Sequence, residues 1–130
     1  MKTYNINISE DEILTAIYRL TANAAQQRKD ALHVATEDNK DLLVGFIEDG
    51  KRVLRKSLGR YAAGGLDYSM PEAWPERCDD IDALSDSFLR NYVLAEWYGL
   101  SGEGDRYLAV ANVALEDIGS VLGKRIKPTR

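Results

Sequence analysis

The sequence of 130 residues contains only one cysteine, Cys78, and only one histidine, His33. One cysteine cannot form a disulfide within the chain, and a zinc site needs several convergent cysteine or histidine ligands. A nucleophilic cysteine needs a base beside it, whereas the neighbours of Cys78 in the sequence are mostly acidic. We therefore expect no catalytic residues, no metal site and no cofactor.

Long apolar runs are also absent. No run approaches the roughly 18 residues that a membrane helix needs, and residues 1–8 do not resemble the apolar region of a signal peptide. We therefore expect no contact with a membrane, and the reducing cytoplasm of a bacterial host, or a virion, as the location.

The net charge of −4 is modest, but the charges are unevenly distributed. Residues 51–60 and 124–130 contain nine of the 17 basic residues and no acidic residue, so the remainder has eight basic and 21 acidic residues, a net charge of −13. Such segregation suits contacts between complementary protein surfaces, including those of identical copies. The alternative is that both segments are simply solvated.

Apolar spacing predicts an all-α fold, a bundle of four main helices in one domain over residues 1–130. The first helix begins after Ser9, a typical capping residue, and the second after residues 36–39. Gly64 and Gly65 are expected to end the second helix. Its apolar stripe is the clearest in the chain and comprises Leu43, Phe46, Ile47, Gly50, Val53, Leu54, Leu58 and Tyr61.

The third predicted helix begins near Asp79 or Asp80 and ends at Gly99. Because its second half is apolar almost all round, it is expected to be the central helix. The fourth helix is expected to bury its own apolar stripe. This stripe comprises Tyr107, Ala111, Ala114, Leu115, Ile118 and Leu122.

Three segments lie outside the predicted helices: an extended N-terminal arm over residues 1–8, a long loop over residues 62–79 between the second and third helices, and a basic tail over residues 124–130. The loop either folds back on the bundle or contacts a neighbouring molecule. The predicted interface residues in these segments are Tyr4, Ile6, Leu66, Tyr68, Met70, Trp74, Lys124 and Arg125.

The second helix carries a basic patch in its last part. The patch comprises Lys51, Arg52, Arg55, Lys56 and Arg60. It could contact DNA phosphates non-specifically, but no exposed Asn or Gln accompanies it, as base recognition would require. A small DNA-associated or regulatory helical protein is thus one alternative, and a ligand-binding or enzymatic bundle is another.

Three segments in order carry a resemblance to a known family. They are Asp38–Ile47 continuing to Tyr61, the long loop, and Leu89–Tyr98, which closes on Trp97 and Tyr98. Over roughly residues 38–122, the chain resembles the head–tail connector (adaptor) proteins of tailed phages and prophages. That family often has a proline at the start of the apolar helix. This chain differs, because acidic residues between Asp79 and Asp86 lie at the predicted start of its third helix.

The resemblance implies a non-enzymatic structural subunit. Such subunits form a ring that lies under the portal, joins head to tail and surrounds the DNA channel. The implied partners are copies of the chain itself, portal-like proteins and tail proteins, with non-specific DNA contact.

Overall fold

The computed structural model describes residues 2–28, 34–70, 75–99 and 102–123. The sequence prediction of an all-α bundle of four helices is confirmed, with a small sheet beside it. The helices are α1 (Glu10–Arg28), α2 (Lys40–Ser57), α3 (Pro75–Tyr98) and α4 (Gly102–Gly123), and the strands are β1 (Lys2–Asn5), β2 (Ala62–Gly64) and β3 (Asp67–Met70). Single turns of 3₁₀-helix at Glu37–Asn39 and Gly59–Tyr61 flank α2.

Hydrogen bonds to side chains cap the starts of the first two helices. The backbone N–H of Glu12 donates to Ser9 Oγ over 3.3 Å, which confirms Ser9 as the cap of α1. The backbone N–H of Thr36 donates to Asn39 Oδ1 over 3.1 Å, at the turn that leads into α2. Both caps satisfy polar groups that a helix start leaves without an intrahelical partner.

The end of α2 differs from the sequence prediction. The helix ends at Ser57; Gly64 is instead the last residue of β2, and Gly65 lies with Leu66 in the turn between β2 and β3. Both have positive φ, 110° and 55°, which glycine adopts without the steric cost of a Cβ. The predicted long loop is therefore a β-hairpin over much of its length. Arg55 holds its turn against α2, since Arg55 Nε donates to the Gly65 carbonyl over 3.1 Å.

The N-terminal arm completes this sheet. β3 lies between β1 and β2 and is antiparallel to both, with Tyr4 opposite Tyr68. Two side-chain pairs hold this register, because Asn5 Nδ2 donates to Asp67 Oδ1 over 2.6 Å and the hydroxyls of Thr3 and Ser69 lie 3.0 Å apart. The arm is thus fixed to the fold as an edge strand.

The start of α3 also differs from the prediction. The helix begins at Pro75, four residues before Asp79. A proline at the first helical position costs little, since its missing N–H would have no intrahelical partner there and its fixed φ suits a helix. The acidic residues that we expected to begin α3 lie within its first turns.

One hydrophobic core joins all four helices and the sheet. Among the described elements, α3 and α4 form the most extensive helix contact, and α3 also packs on α1 and α2. The predicted central position of α3 is thus confirmed. Gly50 allows α2 to approach α3 closely, because a Cβ at residue 50 would lie 2.7 Å from Leu89 Cδ2 and 3.0 Å from Tyr92 Cδ1.

Candidate protein-interaction surfaces

Two of the predicted interface residues belong to the core of their own chain. Ile6 is 2% exposed and Tyr68 is fully buried. Burial raises the pKa of the Tyr68 phenol well above its usual range. These two residues are therefore not contact residues, because the hairpin folds back on the bundle and buries them there.

Tyr4 and Leu66 are half-buried and pack against the same core. The Tyr4 and Tyr68 rings stack with their centroids 5.6 Å apart, and the backbone N–H of Ile6 donates to the Leu66 carbonyl over 3.0 Å. Met70 ends β3. Trp74, Lys124 and Arg125 lie outside the described residues, so their predicted roles stay predictions.

Local carboxylates pair with the first part of the basic patch. Lys51 Nζ lies 3.3 Å from Glu48 Oε1 and 4.0 Å from Glu10 Oε2. Arg52 Nη1 lies 3.2 Å from Asp49 Oδ1. These contacts leave Lys51 and Arg52 with less positive potential to offer a partner.

The remaining basic residues lie together at the C-terminal end of α2. Arg55, Lys56 and Arg60 are exposed, and their cations have no carboxylate partner among the described residues. The guanidinium of Arg60 lies 5.0 Å from the centre of the Tyr61 ring and donates to its hydroxyl over 2.8 Å. We name Arg55, Lys56 and Arg60 the basic end.

The opposite end of α2 carries the reverse charge. Glu37, Asp38 and Asp41 are all exposed there, with Lys40 as the one base among them. We name Glu37, Asp38 and Asp41 the acidic end. The 18 residues of α2 separate the two ends by about 27 Å. The helix α2 thus presents opposite charges at its two ends, which are well separated.

Sequence reasoning missed a third surface, on α4. Val110 is 47% exposed and Val113 is 56% exposed, and Leu108, on the other side of the buried stripe, is 37% exposed. Helical spacing places Val110 and Val113 to one side of the buried stripe of Ala111, Ala114 and Ile118. The signal was present in the sequence as apolar residues outside the predicted stripe, but an apolar helix alone does not indicate which face remains uncovered.

A groove of about 310 Å³ lies between α1 and α3 and is wide open to solvent. Its charged lining includes Asp11, Glu12, Arg19 and Arg90, and Arg90 Nε lies 2.8 Å from Asp86 Oδ2. Among the described residues, no hydrogen bond joins the Thr15 hydroxyl to a carboxylate of this groove, and no group of three or more ligands is suited to a metal ion. None of the described helices has the length and apolar character needed to cross a membrane.

Comparisons of the chain with protein-family models, with curated proteins and with solved structures find no match.

Proposed function

We propose that this chain is a non-enzymatic structural subunit that assembles head to tail into a ring, as phage head–tail connectors do. The observation that carries the proposal is the pair of oppositely charged ends of α2. When the basic end of one copy meets the acidic end of the next, every copy uses two different surfaces. Such heterologous contacts produce a closed ring if the rotation between neighbours closes, and a filament otherwise.

The start of α3 agrees with one feature of the connector family. The family often has a proline at the start of its apolar helix, and α3 begins at Pro75. In a connector, the ring would lie between portal and tail around the DNA channel, in the virion or in the cytoplasm of a bacterial host. Its partners would be portal-like and tail proteins.

Charge reversal at each end of α2 tests the head-to-tail contact. One variant carries Lys56→Glu and Arg60→Glu, and the other carries Asp38→Lys and Asp41→Lys; Arg55 is kept because it anchors the hairpin turn. Each variant alone then has like charges at both ends and should not associate head to tail. An equimolar mixture should associate, because the reversed basic end of the first variant meets the reversed acidic end of the second, and the unchanged basic end of the second meets the unchanged acidic end of the first.

Assembly is measured by sedimentation and by electron microscopy, alone and with a co-expressed portal-like protein, and circular dichroism checks that each variant folds. A ring or filament formed by the mixture but by neither variant alone supports the proposal. Unchanged ring or filament formation by each charge-reversed variant alone contradicts the proposal. A wild type that forms no ring or filament under any of these conditions also contradicts it.

The alternative is a small DNA-associated or regulatory protein that uses the basic patch. Two of the five patch residues, Lys51 and Arg52, already face carboxylates of their own chain. The three residues of the basic end could still contact phosphates, without base recognition. Tight duplex binding that depends on DNA sequence at physiological salt would favour this alternative over the ring.

A further inference from the structure

The exposed face of α4 has a regular pattern of charge and apolar residues. Arg106, Val110, Val113 and Asp117 follow one another at spacings of four, three and four residues. These spacings place all four side chains on one side of a helix. All four residues are exposed in the folded chain, so none is part of the core.

The two charges at the ends of this face have no oppositely charged partner among the described residues. Arg106 lies over the Tyr107 ring, with 5.9 Å from its guanidinium to the ring centre, and forms no ion pair with a described residue. Asp117 likewise forms no ion pair within the described part of the chain. The face therefore presents a base, two valines and an acid in that order.

We propose that this face binds the same face of a second copy, with the two α4 helices antiparallel about a two-fold axis. The axis passes between Ala111 and Asn112, midway between Val110 and Val113. The pair is separate from the head-to-tail contacts, because it uses no residue of α2.

The symmetry makes the pattern self-complementary. In an antiparallel pair about that axis, Val110 faces Val113 of the second copy, and Val113 faces its Val110. Arg106 then faces Asp117 of the second copy, and the reverse contact forms at the other end. A two-fold interface requires a patch of this kind, in which each group finds its complement in the same surface.

A parallel pair does not fit the charges. It would place Arg106 opposite Arg106 and Asp117 opposite Asp117, and like charges at such an interface are unfavourable. The apolar centre with charges at its rim also matches the usual anatomy of a protein interface. The order of the charges thus selects the antiparallel arrangement.

The first test measures the mass of the full chain in solution by light scattering across a range of concentrations. Head-to-tail contacts would raise the mass of the wild type further, so the test uses chains that carry Lys56→Glu and Arg60→Glu. We expect these chains to form a dimer, and a monomer once Val113→Asp is added, with the fold checked by circular dichroism. In the same background, Arg106→Asp and Asp117→Arg should each weaken the dimer by about tenfold or more, and the double variant should restore it. Chains that stay monomeric at the highest concentration reached, or a dimer that Val113→Asp does not affect, overturn the proposal.

The second test fixes the orientation by crosslinking in a Cys78→Ser background. A mixture of Val110→Cys and Val113→Cys chains should form a disulfide-linked dimer several-fold more than either variant alone. Equal or greater crosslinking by the single variants would overturn the antiparallel arrangement. A double charge variant that remains monomeric would also overturn the arrangement, because residues 106 and 117 would then not face each other across the pair.

Discussion

The backbone N–H of Asn7 donates to Asp82 Oδ1 over 2.9 Å, so a carboxylate of α3 holds the segment between β1 and α1. Partial burial raises the pKa of Asp82 above its usual 3.8, in opposition to this hydrogen bond, which lowers it; the negative charge of Asp79 raises it further. The folded chain therefore binds a proton at Asp82 more readily than the unfolded chain does.

This shift predicts a specific pH dependence for Asp82→Asn. Because the folded pKa is the higher one, the wild type loses stability from this group as pH rises from about 3.8 through the folded pKa. The amide side chain of the variant has no charge but keeps an oxygen that can accept from the Asn7 N–H. The free energy of unfolding of the variant, measured by urea denaturation across pH 3–7, should therefore fall less with rising pH than that of the wild type. An identical slope for both proteins would contradict the prediction.

Tyr68→Ala tests whether the hairpin is part of the core. Removal of this fully buried ring should lower the free energy of unfolding by about 3–5 kcal/mol, as for other large aromatic residues in cores. Tyr68→Phe keeps the ring and should retain most of the stability. A substitution at the exposed Ala62 of the same hairpin, Ala62→Ser, serves as the surface control and should change stability by less than about 0.5 kcal/mol. A small loss of unfolding free energy for Tyr68→Ala would contradict the placement of the hairpin in the core and would make it a possible contact surface.

Thr21→Val should remove a buried bridge between α1 and the segment that precedes α2. Thr21 Oγ1 accepts the backbone N–H of Ala35 over 3.0 Å and donates to the Ile17 carbonyl over 2.9 Å. Valine has nearly the same shape but leaves the Ala35 N–H without its partner, which should cost about 1–3 kcal/mol in thermal or chemical denaturation. The matched control is Ser120→Ala, because the Ser120 hydroxyl donates to the Glu116 carbonyl at an exposed site and its loss should cost much less.

Gly50→Ala and Gly45→Ala should have opposite effects, although both glycines lie in α2. A Cβ at residue 50 would lie 2.7 Å from the buried Leu89 side chain, so the variant should lose about 1–3 kcal/mol through displacement of α3. A Cβ at residue 45 meets nothing within 4 Å, so that variant should gain about 0.5–1 kcal/mol from better helix propensity. The two midpoints of denaturation should fall on either side of the wild-type value, and equal shifts would refute the close approach.

The two parts of the basic patch should differ in their effect on DNA binding. Any binding to duplex DNA should be weak, independent of sequence and strongly reduced by salt. Lys56→Ala with Arg60→Ala should reduce it more than Lys51→Ala with Arg52→Ala, because Lys51 and Arg52 are already paired with carboxylates. Fluorescence anisotropy at several salt concentrations measures the difference. Equal losses would mean that the local ion pairs do not matter for DNA contact.

Local sequence patterns were sufficient to predict the helices and most of the residues that they bury. The stripe of α2 and that of α4 follow the helical period, and a residue such as Ile118 is buried where this period places it. Ser9 also marks the start of α1 as predicted, since a capping bond joins residues only three apart. These features arise from interactions within one element, which a short stretch of sequence contains in full.

The sheet and the uncovered surfaces depend instead on contacts between distant parts of the chain. Thr3 and Ser69 pair across 66 residues, and no local pattern specifies a register between segments so far apart. The sequence predicts Ile6 and Tyr68 as contact residues, whereas that pairing places both in the core. The exposure of Val110 and Val113 depends likewise on which neighbours cover α4. Apolar character favours burial, but long-range packing determines which apolar side chains are buried within the chain and which remain available to another molecule.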